Sequence, residues 1–390
     1  MSIGKYIIPF LILLGGSLCG ESNKYLVSLK ITETLDNFFK YDKTYPISQH
    51  INPLIESSFS IGKYSGFAGN FSDSALERLK RCPLVAEITP DVEVKAFDIR
   101  LQVDGPRHLG RICQKDTLHQ TSPFNYCYDE GTEVLAYVID SGINIHHPEF
   151  GGRAEAGADF TGEGPGDFNG HGTHVAGLIG SETFGSSKSV KIIEVKALNF
   201  MGSGTLSSII SSIEFCVNHR ESSGLPGVAN LSLGAPRNRA LNRAINAAAD
   251  TGLVIVVAAG NDNSDACGTS PASASRAITV GAIDDIDDSL SIFTNWGGCV
   301  DIFSSGVEVD SIDYASAGPS KKSGTSMASP IVAGLAANLL SLGNPPDNIQ
   351  ELIKSMSSKN RISFKSSITR FGTPNKIAYN RLEGACEEYI

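Results

Sequence analysis

The 390-residue chain reads as an α/β protein: a doubly wound parallel sheet flanked by helices, preceded by a small α+β module. Three observations predict this. Residues 133–139 (EVLAYVI) and 253–261 (LVIVVAAGN) are short apolar runs rich in β-branched residues, the pattern of strands buried on both faces. Residues 329–342 carry no charge and are rich in alanine and leucine, which predicts a buried helix. Before residue 100, strand-like and helix-like segments follow one another at a spacing close to βαββαβ.

Taken in order, residues 1–20 hold one lysine, an apolar stretch at 6–14, then Gly15, Gly16, Ser17, Cys19 and Gly20, which reads as a signal peptide. The stretch is shorter than the roughly 20 residues of a membrane span, so no stable span is expected. Residues 21–99 form the small module. Strands are expected at 25–30, 64–71 and 83–94, with a helix at 73–79. A retained N-terminal binding domain is the other reading of this module. Residues 100–390 form the large domain, which at 41% hydrophobic content can bury a full core.

Within that domain the chemistry gathers at three places. Asp140 ends the strand 133–139, where open α/β sheets set their sites. His171 opens a helix in NGHGTHVAG, and Ser326 in GTSMASP stands at the start of the apolar helix, beside its positive dipole end. A serine hydroxyl attacks well only when a neutral imidazole accepts its proton and a carboxylate fixes that imidazole in one tautomer. Asn261, at the end of the strand 253–261, can donate an amide proton to a developing oxyanion. Singly, each has a plainer reading: the aspartate as a turn residue, the serine as a helix cap. His171 and His174 lie three apart with no glutamate between them, so a zinc site lacks its ligands, and His174 reads as packed behind His171.

These segments resemble the subtilisin-like serine proteases, and within them the proteinase K group, whose chain order Asp, His, Ser they share. The resemblance runs from about residue 100 to the end. It implies a serine endopeptidase in which Asp140 orients, His171 is the general base, Ser326 the nucleophile and Asn261 the oxyanion donor, with no cofactor for catalysis. Gly202, Ser203 and Gly204 resemble the edge strand that pairs with a substrate backbone. Ser232, Leu233 and Gly234 resemble one wall of the specificity pocket and Ala258, Ala259 and Gly260 the other. Since those walls carry no charge, apolar or aromatic side chains are expected before the cut. The module 21–99 resembles an inhibitory propeptide that would make the enzyme a self-processing zymogen, cut near residues 97–101. Cys267 and Cys299 resemble a family disulfide, worth about 3–4 kcal/mol in the chain-entropy model. Asp301 with the carbonyls of Ser275 and Ala277 resembles a structural calcium site, and the alternative that Asp301 only caps its strand stays open. Ile331 and Leu135 depart from the family pattern, which carries His at the first position and, in proteinase K, Cys at the second.

The partners expected are protein and peptide substrates and the chain's own propeptide. A formal net charge of −10 argues against nucleic acid, and a monomer is expected. Eight cysteines suit an oxidising, secretory compartment; processing would leave six, an even number that allows all to pair. No two stand at C-x-x-C spacing. Asp284, Asp285, Asp287 and Asp288 read as an exposed acidic loop, and His146–His147 as a solvated pair. Two rival classes remain: a catalytically silent protease-like binding protein, disfavoured because all four catalytic types are present, and an α/β-hydrolase, disfavoured by the absence of G-x-S-x-G in its required context.

Overall fold

A computed structural model describes residues 24–44, 51–91, 99–118, 124–129, 133–316 and 318–382, so the expected signal peptide lies outside the described residues. The chain forms two compact units, Met1–Ala96 and Phe97–Ile390.

In the first unit, strand β1 (Lys24–Leu29), helix α1 (Leu35–Thr44), strands β2 (Ile55–Ile61) and β3 (Tyr64–Asn70), helix α2 (Asp73–Arg81) and strand β4 (Val85–Pro90) follow one another. The strands pair antiparallel in the order β2-β3-β1-β4, a ferredoxin-like arrangement. Val27, Phe38, Phe67 and Leu79 fill the core beneath the helices. Ser72 caps α2 by accepting from the Ala75 amide at 3.4 Å. Helix α1 and strand β2 escaped the sequence reading: β2 alternates weakly, and α1 gains its order from Asp42, which is buried, accepts from the Ile51 amide at 3.0 Å and pairs with Arg78 of α2.

The second unit is built on strands β5 (Leu135–Asp140), β6 (Ala154–Asp159), β7 (Lys191–Lys196), β8 (Gly227–Leu231), β9 (Val254–Ala258), β10 (Ile278–Asp284) and β11 (Ile302–Ser305). They lie parallel in the order β11-β10-β9-β8-β5-β7-β6. Helices α3 (His171–Gly180), α6 (Thr325–Ser341) and α7 (Pro346–Met356) cover one face, and α4 (Leu206–Ser223) and α5 (Arg239–Asp250) the other. Strand β5 shows why its sequence is apolar throughout. Ala136 and Val138 pack under α3 and α6, whereas Tyr137 and Ile139 pack under α4 and α5. From β5 the chain first builds β6 and β7 on one side, then crosses by α4 to β8 on the other, so the strand order reverses at the carboxyl end of β5. Asp140 stands there.

Four expectations need correction. Helix α6 begins at Thr325, four residues before the predicted start, and carries Pro330 inside it and not at its start. Asp285 and Asp288 are buried, not exposed: Arg107 Nε donates to Asp285 at 2.9 Å, and Arg111, itself fully buried, grips Asp288 through Nε at 2.6 Å and Nη2 at 3.0 Å. His147 is buried too, accepting at Nδ1 from the Glu149 amide and meeting the Ser316 carbonyl at Nε2. Of the cysteines, Cys267 and Cys299 form a disulfide, but Cys216 is a fully buried free thiol in α4, so the six do not all pair. Cys386 lies outside the described residues. Leu135 and Ile331, the two departures from the family pattern, are both core residues. No single helix among the described residues is long and apolar enough to cross a membrane.

Candidate active site

Asp140 is fully buried at the end of β5, where its Oδ1 accepts from the Ser141 amide at 2.8 Å and from His171 Nδ1 at 2.7 Å. With the proton on Nδ1, Nε2 is left as an acceptor, the tautomer a general base requires. Among the described residues the second Asp140 oxygen, also buried, has no donor. Burial pulls the His171 pKa down, but the charge and hydrogen bond of Asp140 outweigh it and the net shift is upward; Lys322 opposes that shift and Asp167 adds to it.

His171 is fixed by a residue the sequence reading missed. Asp167, buried, accepts at Oδ1 from the Ser141 hydroxyl and from the amides of Asn169 and Gly170, and at Oδ2 from the amide and hydroxyl of Thr173, all at 2.7–2.9 Å. It satisfies amides at the start of α3 that have no intrahelical partner and ties them to the loop after Asp140. Gly170, at φ 88°, precedes His171 in a left-handed conformation, and a Cβ there would collide with the Tyr314 ring.

Ser326 lies in the first turn of α6. Proline at 330 has no N–H for the Ser326 carbonyl four residues back, and its ring pushes that carbonyl outward. The Ser232 hydroxyl donates to it instead, at 2.9 Å. Asn230, buried in β8, donates to the Ser232 hydroxyl at 2.9 Å and accepts from Ser329 at 2.6 Å, so this polar chain pins the start of α6 to the end of β8. The Ser326 hydroxyl donates to the Ser232 carbonyl at 3.3 Å, and among the described residues no hydrogen bond joins it to His171.

Asn261 is oriented by its carbonyl oxygen, which accepts from the amide and hydroxyl of Thr325 at 2.9 Å each. Gly260 (φ 103°) makes the turn out of β9; a Cβ would strike Asn295, whose side chain donates to the Ala259 carbonyl and accepts from the Asp262 amide. Two clefts, of about 460 and 660 Å³, adjoin these groups. The smaller is lined by His171, Leu198, Gly202, Ser203, Gly204 and Leu233 among others. The larger is lined by Ser232–Leu233–Gly234 and Ala258–Ala259–Gly260, together with Asn261, Asp262 and Ser326. Residues 202–204 form no strand in the free chain: Gly202 and Ser203 close a turn on Asn199.

Asp140 and His171 thus meet where the strand order reverses. Residues 131–372 match the model of the Subtilase family, and residues 20–97 that of Peptidase inhibitor I9. The chain belongs to the subtilase family. It is 40% identical to the subtilase-type proteinase RRT12 of Saccharomyces cerevisiae, over 94% of this chain and 84% of that protein. It is 42% identical to the subtilisin-like serine protease Rho m 2.0101 of Rhodotorula mucilaginosa, over 78% of this chain and 91% of the other. Among solved structures, a cold-adapted subtilisin-like serine proteinase matches with a TM-score of 0.65 at 41% identity, over 71% of this chain and 98% of that one. This subtilase is therefore a serine endopeptidase with an inhibitor propeptide.

The calcium site implied by the family resemblance does not fit this subtilase. Asp301 Oδ2 accepts from the Thr279 amide at 2.9 Å, and Oδ1 accepts from Gln350 Nε2 at 3.2 Å with the Lys354 ammonium 3.6 Å away. The same Gln350 nitrogen donates to the Ala277 carbonyl at 3.2 Å, and the Ser275 hydroxyl accepts from Asn246. Both Asp301 oxygens and the Ala277 carbonyl, which would face a divalent ion, already accept hydrogen bonds, and Asp301 also faces an ammonium.

Proposed function

We propose that this subtilase is a self-processing zymogen of the secretory pathway that hydrolyses peptide bonds through Asp140, His171 and Ser326, with Asn261 as oxyanion donor, and that it favours apolar or aromatic residues before the cut. The 2.7 Å bond from buried Asp140 to His171 Nδ1, on the element preceding the cleft that holds Ser326, carries this reading. Substrate would lie along residues 202–204 and 232–234, adding a strand to backbone that is left in a turn in the free chain. On binding, the Ser326 hydroxyl turns from the Ser232 carbonyl toward His171 Nε2, which takes its proton as Oγ attacks the carbonyl carbon. The oxyanion then accepts from Asn261 Nδ2, and the imidazolium is held by Asp140 until it protonates the leaving amine.

The alanine and glycine walls of the larger cleft leave room for a bulky apolar side chain. Asp262, which is exposed, also lines this cleft and lies outside the wall segments read from sequence. The leader 1–20, the propeptide 21–99 and the mature domain 100–390 complete the reading as a secreted precursor. A fluorophosphonate probe on the purified mature enzyme tests it: peptide mapping should find the adduct on Ser326, and Ser326→Ala should accumulate uncut. An adduct elsewhere, or normal maturation of that variant in a host without other proteases, would overturn the assignment.

A further inference from the structure

Helix α7 presents Gln350 and Lys354, one turn apart and so on one face, to the Asp301 carboxylate that precedes β11. Gln350 Nε2 bridges Asp301 and the Ala277 carbonyl, both at 3.2 Å, and Glu351 holds the Lys354 ammonium from its other side at 2.5 Å. We propose that the Lys354 ammonium, with the Gln350 amide, is a built-in cation standing where a divalent ion would bridge Asp301 to the Ala277 carbonyl, so that the catalytic unit draws no stability from calcium there. Calcium takes six to eight oxygen ligands at about 2.3–2.6 Å. Here each Asp301 oxygen and the Ala277 carbonyl already accepts a hydrogen bond, and an ion entering the site would meet the ammonium's like charge.

The arrangement fastens α7 to β10 and β11, and through the Thr279 hydroxyl, which donates to the Ala272 carbonyl at 2.9 Å, to the segment behind Ser270 in the wall of the larger cleft. The inference does not depend on which serine of this endopeptidase is the nucleophile, since its readout is a melting temperature and fluorophosphonate serves only to prevent self-digestion.

The test uses mature enzyme silenced by fluorophosphonate, melted with chelator and with millimolar calcium. The wild type should melt at the same temperature in both. Lys354→Met should melt roughly 3–8 °C lower with chelator present, and Lys354→Arg should keep most of the wild-type value. If chelator lowers the wild-type value and Asp301→Asn abolishes that sensitivity, calcium sits on Asp301 and the proposal fails. The losses from Lys354→Met and Asp301→Asn should also be non-additive, and additive losses would overturn the pairing even without any calcium effect.

Discussion

Replacing Ser232 by alanine tests how α6 keeps its nucleophile in place. The hydroxyl serves two partners: it donates to the Ser326 carbonyl at 2.9 Å and accepts from Asn230 at 2.9 Å, and both Ser232 and Asn230 are buried. Its loss leaves the carbonyl without a donor, because Pro330 supplies none, and leaves one Asn230 proton without an acceptor. At about 1–3 kcal/mol for each buried group left unsatisfied, and with some relaxation, Ser232→Ala should cost about 2–4 kcal/mol. That corresponds to a melting temperature lower by roughly 5–15 °C for a domain of this size. The decisive comparison is with Pro330→Ala, which restores an N–H in reach of the same carbonyl and removes the ring that displaces it. It should stabilise the Ser232→Ala protein more than the wild type, with a coupling of about 1 kcal/mol in calorimetry of the phosphonylated enzymes. The unmodified Ser232→Ala enzyme should show a lower kcat, since the backbone bearing Ser326 is no longer pinned to β8. A Ser232→Ala protein within about 0.5 kcal/mol of wild type, or an equal effect of Pro330→Ala in both backgrounds, would refute this account.

Asn261→Ala should lower kcat by about 10²–10³ with little change in KM, measured on peptide substrates, because the amide acts on charge that develops after binding. The pH profile of kcat/KM should have its acid limb above the ordinary histidine pKa, since Asp140 raises His171 and the base works only when neutral; Lys322→Met, which removes an opposing positive charge, should move that limb further up, and a downward move would contradict the assignment of the base. Arg111→Met should cost about 3–5 kcal/mol by stranding fully buried Asp288, whereas the double variant Arg111→Met/Asp288→Asn should recover part of the loss, an asparagine also tolerating the φ of 57° at that position; denaturant unfolding reads both. Burial pushes His108 down to about 4, so the unfolded chain takes up that proton first. Its contribution to stability is therefore present above about pH 6.5 and lost as pH falls toward 4, and His108→Gln should flatten the decline of melting temperature across that window.

The residues proposed for catalysis were legible as candidates in the sequence because each rests on a local pattern. Asp140 closes a strand whose apolar run announces burial on both faces, His171 and Ser326 open helices, and Asn261 follows a glycine that must turn. The βαββαβ spacing of the first unit was likewise visible, although α1 and β2 lacked a clear period of their own.

The amino-acid order by itself therefore determined the fold class, the family and the four groups to which the chemistry is assigned in the proposal, since these depend on periodicity, capping and short motifs within a few residues of one another. Only the tertiary structure decided what holds those groups. Ser232 reaches the Ser326 carbonyl across 94 residues, Arg111 reaches Asp288 across 177, and Gln350 reaches Asp301 across 49. The Asp167 carboxylate that organises the loop before His171 stands only four residues away, yet its role depends on Ser141, which arrives from the loop after β5. A polar residue in a sequence carries no mark of whether folding will bury it or what it will meet. Because a buried charge is stable only beside its partner, the acidic run at 284–288 was read as solvated until the packed fold brought Arg107 and Arg111 against it.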